Sequence, residues 1–355
     1  MELIMRLSRF WLLALVAGAV LLGTNCSYYN KVMARKNLVD GSKAYKDRKF
    51  ADAERLFRYA ASLDPNGTTM EGRTAQLSLA RTLHSMYIGD RSKKEYAQQA
   101  LDEYKKSLPQ MAKDLTDVTA KYEQNKNSAE LQRQYFADLS AVNSTTGAIA
   151  NLLDTLDQKD EARQWQLQVA DDASMPITAR ARALSSLASK ANSCANDISD
   201  TEATKKTVKK DGKDVFQFVK PANADDFTKL KQCVEEGQKY VDQALALEPP
   251  EVKNAASLDL KSLNDIQLAI DSEIFKVFES VRSYKAALTN QAMRIAEMDG
   301  NTAERDRLKD ASDAAKNAFS SLSDVVKSIT AEQDARAAAK EEAEKGAAAN
   351  ANANK

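Results

Sequence analysis

The chain is expected to be all-α, with one small β-hairpin inserted. Three observations predict this. Among 355 residues there are only 11 Gly and 6 Pro, below the roughly 7% and 5% typical of soluble proteins, so the many turns of a sandwich or barrel have no material. Charged residues make up 29% and hydrophobic residues 43%, the profile of long helices with a solvated face. Apolar residues recur at i, i+4 and i+7, the spacing of one helix face.

The first 26 residues read as an export signal or anchor. Arg6 and Arg9 form a positive flank, residues 10–23 are an apolar run, and Cys26 follows. A run of 14 suits a signal segment and is short of the ~20 residues that span a bilayer. The segment resembles a bacterial lipoprotein signal, which implies lipidation at Cys26. It departs from that pattern at Asn25 and Gly23. An uncleaved anchor and ordinary secretion stay open. Each of the three places residues 27–355 outside the cytoplasm, on the periplasmic side of an envelope membrane.

Residues 34–67 carry the strongest internal unit. Gly41 stands where two helices would approach closely. Tyr45 ends the first helix, Phe50 sits in the turn, and Ala53, Phe57 and Ala60 form the second helix's inner stripe. Leu63, Asp64 and Pro65 close the unit. These residues resemble a tetratricopeptide repeat (TPR), a 34-residue helix–turn–helix. The resemblance implies a TPR-like α-solenoid over residues 31–330.

Weaker units follow. The second uses Leu79, Ala80 and Leu83, then Ala97, Ala100, Tyr104 and Leu108, with its turn lengthened at residues 87–94. Pro109 is expected to end it, and residues 111–126 to form a separate helix. The third uses Leu152, Leu153 and Leu156, then Ala162, Trp165 and Val169. The fourth begins at Ile177, with its second helix expected over residues 230–247. Between its helices, residues 199–226 read as an insertion. Asp211-Gly212 is a hairpin turn signal flanked by Val215, Phe216, Phe218 and Val219. Residues 256–298 and 302–329 are expected as elongated closing helices, and residues 331–355 as a low-complexity Ala/Glu/Lys-rich tail, helical at first and then disordered. The arrangement is also similar to exported TPR proteins of acidobacterial envelopes, a family that implies no activity transferable to residues here.

The same sequence points away from an enzyme. One His, no Gly-rich phosphate loop and no metal-ligand spacing leave no catalytic, cofactor or metal site to assign. Lys+Arg and Asp+Glu balance at 51 each, which gives no field for nucleic acid, and no small-molecule substrate is expected. The TPR resemblance implies a concave groove lined by Arg35, Leu38, Ser42, Tyr45 and Lys46, then Thr74, Leu77, Arg81 and His84. A peptide or helix of a protein partner would bind there. The expected function is an envelope scaffold or assembly factor; the alternative is a self-associating spacer whose groove its own C-terminal helices fill.

Cys194 and Cys233 fall at the end of the first helix and the start of the second in the fourth unit. Ends of an antiparallel pair face each other, and disulfides persist outside the cytoplasm, so a Cys194–Cys233 bond is expected beneath the hairpin. Two buried thiols are the alternative.

Overall fold

The computed structural model describes residues 28–353, so the signal-like segment and Cys26 lie outside the described residues. Among the described residues 81% are helical, with one two-stranded antiparallel sheet. The described residues divide into two compact units, one within Met1–Lys113 and Asn151–Lys159, the other within Asp114–Ala150 and Asp160–Lys355.

The first unit holds α1 (28–46), α2 (Phe50–Ser62), α3 (Met70–Gly89) and the start of α4 (Lys94–Gln124). Ala53, Phe57 and Ala60 are buried on α2 as their spacing predicts. A side chain at Gly41 would come within 2.7 Å of the Phe57 ring, so the bare glycine is what admits that ring. Ala34, Ala60, Ala61 and Ala75 form a cluster of small side chains that brings the helices close. The turn before α3 is organised by Asp64. Its carboxylate accepts from the backbone N–H groups of Thr68 at 3.0 Å and Thr69 at 2.6 Å, and from both hydroxyls. Partial burial opposes the charge, but the bonds from Thr69 and Thr68 outweigh it and hold the carboxyl below its ordinary pKa.

Two expectations fail in this unit. The lengthened turn over 87–94 is not a loop. α3 continues to Gly89 because Tyr87 is buried, and the turn is four residues, in which Asp90 accepts from Ser92. Nor does Pro109 end its helix. It sits inside α4, with the expected separate helix as a continuation. Proline forfeits one N–H bond, while Leu108, Met111, Ala112, Leu115, Val118 and Tyr122 stay buried along one stripe.

The second unit takes in the rest of α4 and most of α5 (Ala129–Thr155), then α6 (Lys159–Asp171) and α7 (Ile177–Ser199). The hairpin follows as β1 (Lys205–Lys210) and β2 (Lys213–Phe218). Val208 pairs with Val215, and Asp211 and Gly212 turn at φ 51° and 76°. Positive φ at both positions is what a type I′ turn demands, and it explains the Asp-Gly pair. Next come α8 (Ala224–Ala246), the short α9 (Pro250–Lys253), α10 (Asp265–Met298) and α11 (Thr302–Ala353). α10 is the central element, with Leu268, Phe275, Phe278, Val281 and Leu288 fully buried. Arg282 of α10 forms a largely buried pair with Glu248, its Nε 2.9 Å from Oε1, and donates to the Ala318 carbonyl at 3.1 Å.

Three boundaries differ from expectation here. α8 starts at Ala224, not near 230, because Asn223 caps it by accepting from Asp225 N–H. Residues 256–264 are not α-helical. They form 3-10 turns, and α10 begins after Asn264, whose side chain accepts from Ile266 and Gln267. The tail begins as helix, as expected, but the helix runs on to Ala353 where disorder was expected. Its Ala, Glu and Lys are strong helix formers, and Arg336 donates to the carbonyls of Leu263 and Leu260 at 2.7 and 3.0 Å while Lys340 bonds Asp265.

Candidate functional site

The groove residues assigned from sequence divide into two sets, all within the first unit. Tyr45, Arg81 and His84 gather on one face. The Tyr45 hydroxyl lies 2.9 Å from Ser85 Oγ, joining the end of α1 to α3, and its ring meets Phe50 edge-on at 5.3 Å. One residue before Ser85, the His84 ring meets Tyr104 of α4 edge-on at 6.1 Å. Burial drives the Tyr104 hydroxyl up to about 12; the positive Arg81 pulls against that and Tyr45 adds to it, which brings all three into one electrostatic neighbourhood. Burial also pushes the His84 imidazole below its ordinary pKa, so it is neutral at pH 7. A neutral imidazole donates from one nitrogen and accepts at the other.

The remaining candidates are not gathered. Arg35, Ser42, Lys46 and Thr74 are exposed, and Thr74 spends its hydroxyl on the Met70 carbonyl of its own helix at 2.8 Å. Leu38 packs on the alanine cluster. Leu77 is half-buried. Ser85 and Tyr104 belong to the gathered set but are absent from the sequence-derived one. Tyr104 carries the spacing of a core residue, and its hydroxyl gives no separate signal. Ser85 bonds the Arg81 carbonyl at 2.9 Å as many helical serines do.

The cluster has hydrogen-bonding groups, aromatic edges and one cation. That equips it to hold a polar or peptide ligand by several weak contacts. Among the described residues no group of three His, Cys, Asp or Glu side chains converges as a metal site would.

The second unit offers a shallow cavity of about 210 Å³ lined by Arg182, Ser185, Lys276, Val277 and Ser280. Its polar groups largely serve the protein itself. Arg182 is held by Glu273 at 2.8 Å, and the Ser185 and Ser280 hydroxyls bond each other at 3.0 Å. Deeper in this unit, burial pushes the Asp271 carboxyl above the usual range, although Gln267 donates to it at 2.8 Å. Neither feature presents an open ligand face.

Cys194 and Cys233 are disulfide-bonded, with Cα atoms 6.1 Å apart, and tie α7 to α8. The bond lies at the foot of the hairpin. There Phe218, Leu230, Val234, Ala195 and Met298 form a small apolar cluster, and Val219 N–H donates to the Thr204 carbonyl at 2.9 Å. Arg294 covers the Phe218 ring at 4.4 Å. The ribbon beyond is exposed, with Phe216 and Val215 in solvent.

Among the described residues no helix is long and apolar enough to cross a membrane. No protein-family model matches the chain, and no curated protein matches it.

Proposed function

We propose that the protein is a membrane-tethered TPR-like solenoid that works by binding, without catalysis: an envelope scaffold or assembly factor that receives a peptide or helix of a protein partner. The observation that carries this reading is the convergence of Tyr45, Arg81, Ser85 and His84 on one face of α3 and its neighbours, backed by the buried Tyr104 ring. Aromatic and Arg side chains dominate the energetics of protein interfaces, and this set contains both. The buried stripe Ala53, Phe57, Ala60 and the close approach at Gly41 support the repeat reading. The apolar run before Cys26 supports the tether.

A photo-crosslinking residue placed at Leu77 or Arg81 in cells tests it, with Arg55 on the exposed face of α2 as the control. The expected result is one adduct of defined mass from positions 77 and 81, lost on Tyr45→Ala, and none from 55. Equal labelling from 55, or no adduct from any position, overturns the binding role.

A second reading is a structural spacer. What favours it is that α10 and α11 are integral to their own unit, with Leu322, Val326 and Ile329 of α11 in one core with Phe275 and Phe278. Deleting residues 256–330 would remove that core under either reading. Tyr45→Ala and Arg81→Ala discriminate instead, because a spacer would tolerate both.

A further inference from the structure

The helix α1 has two faces, and only one packs against the other described residues. Ala34 and Gly41 are buried on the inner side. On the outer side Tyr28 is 73% exposed, Val32 47% and Val39 64%, with Tyr29 beside them at 60%. Positions 28, 32 and 39, with Arg35 between, lie on one stripe of a 3.6-residue helix. Rising about 1.5 Å per residue, the stripe runs for about 16 Å. Lys31, Arg35, Lys36, Lys43 and Lys46 belong to the same helix, against the single acid Asp40. Apolar side chains ringed by cations, with tyrosines at one end, are the pattern of a helix lying in a membrane interface.

Chain length fixes where this helix begins. The apolar run ends at Gly23, and four residues separate it from Tyr28. Fully extended at about 3.5 Å per residue, that connection reaches about 17 Å. If the run is held in a bilayer, Tyr28 stays close to the headgroups. We infer that the outer face of α1 docks on an anionic lipid surface, with Tyr28, Tyr29, Val32 and Val39 entering the headgroup region and Lys31, Arg35 and Lys36 pairing with lipid phosphates. The inference rests on the membrane-tether reading above, and it assigns Arg35 to lipid in place of the peptide groove.

The test uses the full chain carrying Val32→Trp and Trp11→Phe, reconstituted in vesicles. Trp165, whose Nε1 donates to the Thr146 carbonyl at 3.2 Å, is then the one other tryptophan and a constant background. Vesicles of phosphatidylcholine, with or without phosphatidylglycerol, carry a nitroxide near the headgroup. The expected result is flotation with both, and quenching with a blue shift of the introduced tryptophan only where phosphatidylglycerol is present. Lys31→Glu, Arg35→Glu and Lys36→Glu together should abolish that quenching without abolishing flotation. Flotation with the introduced tryptophan unquenched overturns the inference and leaves the tether standing. Failure to float overturns both. Equal quenching in neutral vesicles overturns the anionic-lipid assignment. A spectral shift at this position that follows protein concentration and ignores lipid charge gives the face to a second copy of the chain, and also overturns it.

Discussion

The two units are built on different cores. In the first, the α1–α2–α3 junction closes on small side chains, Ala34, Ala60, Ala61 and Ala75, with the Phe57 ring admitted by Gly41, while Leu79, Leu83 and Leu101 fill the interior beyond it. The second wraps a long central helix with large side chains, Phe275, Phe278, Leu268 and Leu288, and adds a buried ion pair and a disulfide. A small-residue core draws specificity from close approach, so it is sensitive to added volume. A large-residue core draws stability from buried area, so it is sensitive to volume removed. The second unit also carries a hairpin that buries one residue of β2, Phe218, and must be fastened from below.

The largest expected effect breaks the second core. Phe278→Ala removes a fully buried ring at the centre of α10 and should cost about 3–5 kcal/mol. Hydrogen exchange under mild denaturant should show the loss over α7, α8, α10 and α11, with protection in α2 unchanged. A uniform loss over both units would mean that they unfold as one. Removing the disulfide by Cys194→Ser with Cys233→Ser comes next. The 39-residue separation sets an upper figure of about 4 kcal/mol in the chain-entropy model. Faster exchange should concentrate in residues 199–226. If it spreads evenly, the bond is not a local clamp.

The first unit should respond in the opposite way. Gly41→Val adds volume against Phe57 and should cost about 1–3 kcal/mol, read as a lower denaturant midpoint for α1–α3. Pairing it with Phe57→Leu should recover part of the loss. No recovery would place the strain somewhere other than the ring.

The small-residue core is the more legible one. Gly41, Ala53, Phe57 and Ala60 have fixed spacings, and small residues at those spacings have few other uses. The hairpin is legible for the same reason, since Asp211-Gly212 answers to one turn geometry. Residues 127–150 carry no such signature. Leu139, Val142 and Ile149 are buried among Asn143, Thr145 and Thr146, and that polar admixture hides the stripe of α5. Boundaries fixed by caps, as at Asn223 and Asn264, depend on one side chain each. Composition shows that the tail can be helical but not where it docks, because its contacts come from Arg336 and Lys340, cations whose partners only the fold supplies. At the site, Tyr45, Arg81 and His84 follow from the repeat resemblance. Tyr104 does not, because the signal that buries a ring says nothing of what its hydroxyl faces.

The smallest expected effect is a difference in sign between the units on mild acidification. His84 is held below its ordinary pKa of 6.5 by burial beside Tyr104. The unfolded chain therefore takes up that proton first, and stability is whole above about pH 6.5 and falls as pH drops below it. Asp271 is held above its ordinary 3.8 by burial, with Gln267 bonded to it and Glu251 adding to the shift. There the folded chain takes up the proton first, so its contribution is present below 3.8 and is lost as pH rises through the folded pKa. Between pH 7 and 4 the first unit should lose protection through His84 while the second gains through Asp271. His84→Gln should flatten the first trend and Asp271→Asn the second, each leaving the other intact. Exchange measured at matched intrinsic rates across that range separates the two. If His84→Gln leaves the slope of the first unit unchanged, the imidazole is more open to water than its place against Tyr104 implies. It would then be available to a partner as a cation at low pH, and binding through this face should strengthen for acidic peptides as pH falls.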